Sequence, residues 1–188
     1  MIFQVLMAAI VAKIRKLEVL KALIKPVFYP FYIVELVYIF FQINVFLGNY
    51  QFVSYASILK TATLYSLLIP IFVYKLYLPA LAGSGFIFVG SILNEMVKHA
   101  NGGKMPVYPT LSRLTGYFKE GMLDNSSLHI IGTPDSHYKF LSDYIDVGYS
   151  ILSIGDLFVH SFVFIVFYYG IKAVTRMLNG GNLIESDS

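Results

Sequence analysis

The chain has no cysteine, which excludes disulfides, thiolate-held zinc, iron–sulfur clusters, thiol catalysis and palmitoylation. Charge is scarce as well. Only 13% of the 188 residues are Asp, Glu, Lys or Arg, and a net charge of +3 is too small and too scattered to mark a nucleic-acid surface. A cleavable secretory signal places basic residues before an apolar core, whereas here apolar Met1 to Ala12 precedes Lys13, Arg15, Lys16, Lys21 and Lys25. There is no HExxH pair for zinc, no phosphate-cradling loop, no internal repeat and no low-complexity tract. What the chain does have is apolar bulk. With 57% hydrophobic and 16% aromatic residues, its natural solvent is a bilayer.

The apolar runs set the expected architecture. Met1 to Ala12 reaches only about 18 Å as a helix against a hydrocarbon core of about 30 Å. It spans only if it runs on toward Leu20 with its cations snorkelling, and otherwise lies half inserted or at the interface. Lys13 to Lys25 interleaves its charges with Leu17, Leu20, Ala22, Leu23 and Ile24, the pattern of an amphipathic element beside anionic lipid. Val27 to Leu47 carries Glu35, Gln42 and Asn44. Its Val, Ile, Leu and Phe side chains favour insertion by roughly 4 to 8 kcal/mol against about 3 for a central carboxylate, so the run still spans. Ile58 to Leu78 is a third run that Pro70 should kink, and Pro79 to His99 a fourth, with Gly83, Gly85 and Gly90 suited to close helix packing as the central helix. Tyr149 to Val174 is the last. The expectation is an all-α, polytopic transmembrane bundle of four or five spans. Residues 1–178 form a single membrane domain, an outer loop covers about 100–148, and 179–188 is a disordered tail.

Positive charge orients such a bundle. Lys13, Arg15, Lys16, Lys21, Lys25, Lys75, Lys172 and Arg176 would share one side, eight of the fourteen cations, and that side should be cytoplasmic with the C-terminus. The long loop is then extracytoplasmic. Counted at 1.5 Å per residue, Asn94 and Glu95 lie roughly 22 to 24 Å from Pro79, and Asp156 lies about 24 Å from Lys172, so all three fall at the outer edge of the hydrocarbon. His160 is one turn deeper than Asp156 on the same face. Ser153 and Gly155 beside Asp156 also permit a helix N-terminus, where the macrodipole favours a carboxylate, and the plainest reading is an N-terminal cap with a structural Asp–His pair. Glu35 sits about mid-bilayer, roughly 15 Å from Lys25, where an acid must find a partner, water or a proton. Gly102 and Gly103 supply unusual backbone angles where the fourth run ends, Pro106 prevents its continuation, and Lys104 could meet a lipid phosphate. The segment 101–107 is expected to fold back onto the outer end of the last helix, within hydrogen-bonding reach of Asp156.

Three motifs carry a resemblance: Asn101-Gly-Gly-Lys-Met-Pro-Val107 after a span, Phe140-Leu-Ser-Asp143 late in the loop, and Ser153-Ile-Gly-Asp156 opening the last span. Together they resemble a family of small bacterial membrane proteins known only as a domain of unknown function. A more distant similarity is to lipoprotein signal peptidase, whose two catalytic aspartates sit at outer helix ends. That resemblance implies Asp156 as one acid. The other aspartate normally follows an asparagine by three residues, but Val97 stands there after Asn94, leaving Glu95 as an imperfect substitute. Paired carboxylates in an apolar wall would split their pKa values and could activate water.

The leading functional expectation is a non-catalytic binding or accessory membrane subunit with a polar site at the outer boundary. Asn94, Asn101, Gly102, Gly103, Lys104, Pro106, Asp143, His160 and Glu35 would be its binding residues. Its partners would be the bilayer and a membrane protein complex or lipid ligand, with no cofactor, metal or nucleic acid. The alternatives are a membrane hydrolase using Asp156 with Glu95, and a proton-coupled carrier using Glu35.

Overall fold

The computed structural model describes residues 1–52, 55–123, 126 and 128–181. The expected turn at 48–57 therefore lies partly, and the expected tail from 182 on wholly, outside the described residues. The protein is mostly helical: α1 (Ile2–Ile14), α2 (Val19–Leu23), α3 (Tyr29–Phe46), α4 (Ala56–Ser66), α5 (Leu68–Val73), α6 (Tyr77–Ala100), α7 (Leu111–Leu114) and α8 (Ile154–Leu178). Among the described residues, three stretches are long and apolar enough to cross a membrane, Pro26–Phe46, Tyr77–Ala100 and Ile154–Leu178. Their outward faces are apolar: α3 exposes Ile33 (61%), Leu36 (65%) and Phe40 (53%), a surface of the kind lipid covers.

The other two apolar runs are shorter. Helix α1 has 13 residues, about 20 Å of rise, and stops at Lys16, whose φ is 59°. The run expected at 58–78 is divided. Pro70 has no N–H to give the carbonyl of Ser66, so α4 ends at Ser66 and a tightened turn from Leu67 N–H to the Leu64 carbonyl leads into α5. Helix ends share one device: a 6→1 hydrogen bond closes over a left-handed residue, as from Leu17 N–H to the Ala12 carbonyl, Leu76 N–H to Ile71, and Gly103 N–H to Lys98. Lys16 and Lys75 occupy that position in α1 and α5, where glycine would be the unstrained choice.

The chain divides into two compact units. One comprises Met1–Phe40, Ser54–Gly85 and His160–Ser188, the other Phe41–Val53 and Phe86–Val159. In the first, Phe167 on α8 meets both Phe28 and Phe31 with ring centroids at 4.8 Å, and Gly170 makes room for the Phe28 ring. Helix α1 contributes the small buried residues Ala8 and Ala12, and Gly83 of α6 admits Phe162, whose ring a Cβ there would strike. Between helices this apolar, such close approach stabilises by dispersion rather than by transfer from water. Half of the most apolar window of α8 is buried (50%) against 17% for α6. Helix α8 is thus the more buried of the two, and Gly83 of α6 serves to admit it.

The second unit holds the long connection, and here the all-α expectation needs an addition. Four short strands form two pairs: β1 (Met105–Val107) parallel with β2 (His129–Ile131), and β3 (Ile145–Asp146) antiparallel with β4 (Ile151–Leu152). Val97, Met105 and Leu141 form a buried cluster against which Leu93 and Ile154 pack, seating β1 on the facing ends of α6 and α8.

Candidate functional site

The close approach of α6 to α8 in the second unit has a glycine on each side. A Cβ on Gly155 would overlap the Asn94 side-chain oxygen and the Gly90 carbonyl, and one on Gly90 would overlap the Gly155 carbonyl. With the backbones this close, a short side chain can bond across. The buried Ser153 Oγ donates to Asn94 Oδ1 at 2.8 Å and accepts from Asp156 N–H at 2.9 Å. The Asp156 carboxylate accepts from Ser153 N–H at 3.3 Å and from Asn94 Nδ2 at 3.4 Å, both long for such bonds. Ser153 is therefore the N-cap of α8, and Asp156 closes a capping box from the third helical position, with its charge in the first turn where the macrodipole favours it. Asn94 locks the box to α6.

Glu95 is one residue further along α6, hence about 100° around the helix. Its side chain is 71% exposed and accepts a hydrogen bond from Lys98 Nζ at 2.6 Å. The structure thus brings Asn94 to Asp156 and turns Glu95 toward Lys98. In the first unit, His160 Nδ1 lies 3.3 Å from Gln4 Nε2 of α1. Glu35 is buried, with Oε2 3.0 Å from the amino nitrogen of Met1.

The 101–107 segment is held by the loop that follows it. Asn101 donates to the Val97 carbonyl (2.8 Å) and to the His137 carbonyl (3.0 Å), and its Oδ1 accepts from His137 N–H at 2.9 Å, so one amide holds the far side of the loop. Gly102 and Gly103, at φ 67° and 83°, end α6 as their sequence implied. Lys104 Nζ donates to the Ser126 carbonyl at 3.1 Å. Met105 N–H donates to the Leu128 carbonyl and Gly132 N–H to that of Val107, on one edge of β1. On the other edge Asp143 N–H donates to the Pro106 carbonyl, and Tyr108 N–H to that of Asp143, an arrangement that asks nothing of the N–H that Pro106 lacks. These bonds tie the 101–107 backbone to 128–143, and Met105 packs in the apolar cluster with Ile154 at the start of α8. Asp143 is buried, with its Oδ2 3.6 Å from His129 Nε2. Among the described residues no group of three His, Asp or Glu side chains could hold a metal ion.

Sequence reasoning missed Asp146. Its Oδ2 accepts from Thr110 N–H (2.6 Å), Ser112 N–H (2.9 Å), Ser112 Oγ (2.7 Å) and Thr110 Oγ1 (3.3 Å), and its Oδ1 from Gly148 N–H (2.9 Å). It caps α7 from across the loop. Burial alone would raise the carboxyl pKa, but the bonds from Ser112, Gly148 and Thr110 outweigh it and hold the group below the ordinary carboxylate value. Only the turn-forming Asp146-Val-Gly148 hinted at this, because the residues it caps lie 34 to 36 positions earlier.

Residues 19–168 match the sequence profile of DUF5317, a family of unknown function. An uncharacterized protein of Thermotoga maritima is 33% identical over 103 residues, which are 52% of this chain and 57% of the relative. The match therefore spans just over half the length of that relative. No solved structure matches the chain.

Proposed function

The chain belongs to this family of unknown function, and on that premise we propose that it is a non-catalytic, multi-pass protein of the bacterial cell membrane, a binding or accessory subunit whose loop at about 100–148 faces outward. The observation that carries this reading is the set of bonds around Asp156. A hydrolase of the signal-peptidase kind needs a second carboxylate beside it, whereas Asp156 here accepts from the amide of Asn94 and from Ser153 N–H, as the partner of a helix cap. Glu95 holds Lys98 instead. The carrier reading would need Glu35, a buried carboxylate of the first unit, to load and release a proton.

The outward segment has the features of a binding platform. Asn101 and Asp146 brace its backbone, while Phe140 (69%), Tyr144 (55%) and Leu114 (85%) stand exposed on it, more apolar surface than a solvated loop needs. Orientation rests on charge. Glu18 N–H donates to Thr175 Oγ1, which gathers the basic stretch at 13–18 beside Lys172 and Arg176 and supports a cytoplasmic assignment for that end.

Two measurements test the reading. The chain lacks cysteine, so single cysteines report sidedness directly: Asp135→Cys should react with an impermeant maleimide in intact cells, and Lys16→Cys only after permeabilisation. The reverse pattern overturns the orientation. Photocrosslinking groups at Phe140 and Tyr144 should give a discrete protein adduct in cells. Lipid adducts alone, or none at either position, refute partner binding.

A further inference from the structure

We propose that the stretch from Lys13 to Ile24 is a binding surface for anionic phospholipid headgroups, a reading that rests on the chain being a membrane protein. Lys13, Arg15 and Lys16 are all exposed at the end of α1. The carboxylate within the stretch, Glu18, is engaged by Lys21 at 3.3 Å, leaving the net charge of the surface to these three. Glu18 N–H is bonded to Thr175 Oγ1 at 2.9 Å, so the cluster adjoins the end of α8 that carries Lys172 and Arg176. Cations here are placed where the backbone would prefer otherwise, since Lys16 takes a left-handed conformation suited to glycine.

The apolar side chains of the same stretch point to a lipid rather than a soluble anion. Ile14 (74%), Leu20 (80%) and Ile24 (67%) are exposed between the charges, and Leu20 and Ile24 are one helical turn apart. Two tyrosines set their level: Tyr29 Oη donates to the Ile24 carbonyl at 3.2 Å and Tyr32 Oη to the Leu23 carbonyl at 2.8 Å, and tyrosine rings favour the headgroup region. The stretch lies between the apolar helix α1 and the span beginning at Pro26, so its exposed leucine and isoleucine continue surfaces that already face lipid. Apolar residues entering the acyl boundary beneath cations that meet phosphate is the arrangement of an interfacial anchor. Each cation near an anionic surface is worth about fivefold in lipid association, and the effect falls with salt.

The chain contains no tryptophan, so Leu20→Trp supplies a single indole reporter. Reconstituted in vesicles, its fluorescence should be quenched more strongly by brominated phosphatidylglycerol than by brominated phosphatidylcholine. A selectivity of about fivefold or more is expected at low salt. It should fall toward unity in 1 M salt and in a Lys13→Gln, Arg15→Gln, Lys16→Gln background. Ile33→Trp, on the exposed face of α3, is the control for the membrane reading and should be quenched by both lipids alike. Loss of quenching at Ile33→Trp sinks the membrane reading. Quenching at Ile33→Trp with equal quenching by both lipids at Leu20→Trp overturns the headgroup proposal alone, as does a selectivity unchanged by the triple substitution. Fluorescence at Leu20→Trp that ignores lipid but varies with protein-to-lipid ratio would assign the surface to a second copy of the chain, and also overturns it.

Discussion

Replacing Asp146 by alanine should open the extramembrane segment without disturbing the helices that carry it. The substitution removes the acceptor for the backbone N–H groups of Thr110, Ser112 and Gly148 and for the buried hydroxyl of Ser112. A hydrogen bond to a charged group contributes roughly 1.5 to 3 kcal/mol, and a buried donor left unpaired costs about 1 to 3. Thr110 is exposed, so water replaces part of what it loses. A local cost of about 2 to 4 kcal/mol follows, a factor of roughly 30 to 1,000 in the opening equilibrium. Amide hydrogen exchange on the full-length protein reads this directly: protection should fall by that factor at Ser112 and Gly148 and stay unchanged in the middle of α8. The carboxyl pKa is depressed in the folded protein. Its contribution is therefore fully present above the ordinary value of 3.8 and is lost as pH falls through the lower folded value. Asp146→Asn should abolish that pH dependence. Unchanged protection at Ser112 and Gly148, or a uniform loss along the whole chain, would refute the reasoning.

Three further outcomes are expected. Gly155→Ala forces a Cβ into the Asn94 side chain and the Gly90 carbonyl, and thermal unfolding in detergent should show a loss of about 1 to 3 kcal/mol; a neutral result denies the close approach of α6 and α8. Asn101→Ala removes both bonds to the His137 backbone, so limited proteolysis near 137 should accelerate about tenfold while α6 stays intact. Ser153→Ala should destabilise by about 1 to 2 kcal/mol and more than Asp156→Asn, because the serine makes bonds of 2.8 and 2.9 Å whereas the carboxylate's bonds to Ser153 and Asn94 are 3.3 and 3.4 Å. The opposite order would mean that the charge, not the cap, matters at this site.

Features set by neighbouring residues were legible in the sequence. Ser153 and Asp156 stand three apart, so one turn of helix makes their reciprocal bonds, and Gly102-Gly103 before a proline announces the end of α6. Three-residue strands offer no periodicity to read, which is why β1 and β2 were invisible although Met105 and His129 pair in register. Lys16 and Lys75 gave no sign of their left-handed backbone, because glycine is the residue that signals it.

The pairing at the start of α8 shows where counting along a helix stops being informative. Rise per residue is constant, so Asn94, Glu95 and Asp156 could be assigned a common level from the sequence. Rotation about the axis is another matter: adjacent residues on α6 differ by about 100°, and which of them faces α8 depends on the side of α6 that carries Gly90. Gly90 and Asn94 are four apart and therefore share a face, so the glycine that lets Gly155 approach also presents the asparagine to Ser153 and Asp156. Glu95 is carried off that face to Lys98. A carboxyl at position 94 would put two acids at one helix start; the amide found there donates to Asp156 and accepts from Ser153 at once, which an ionised carboxylate cannot do. The residue type at 94 thus decides how the start of α8 is held against α6.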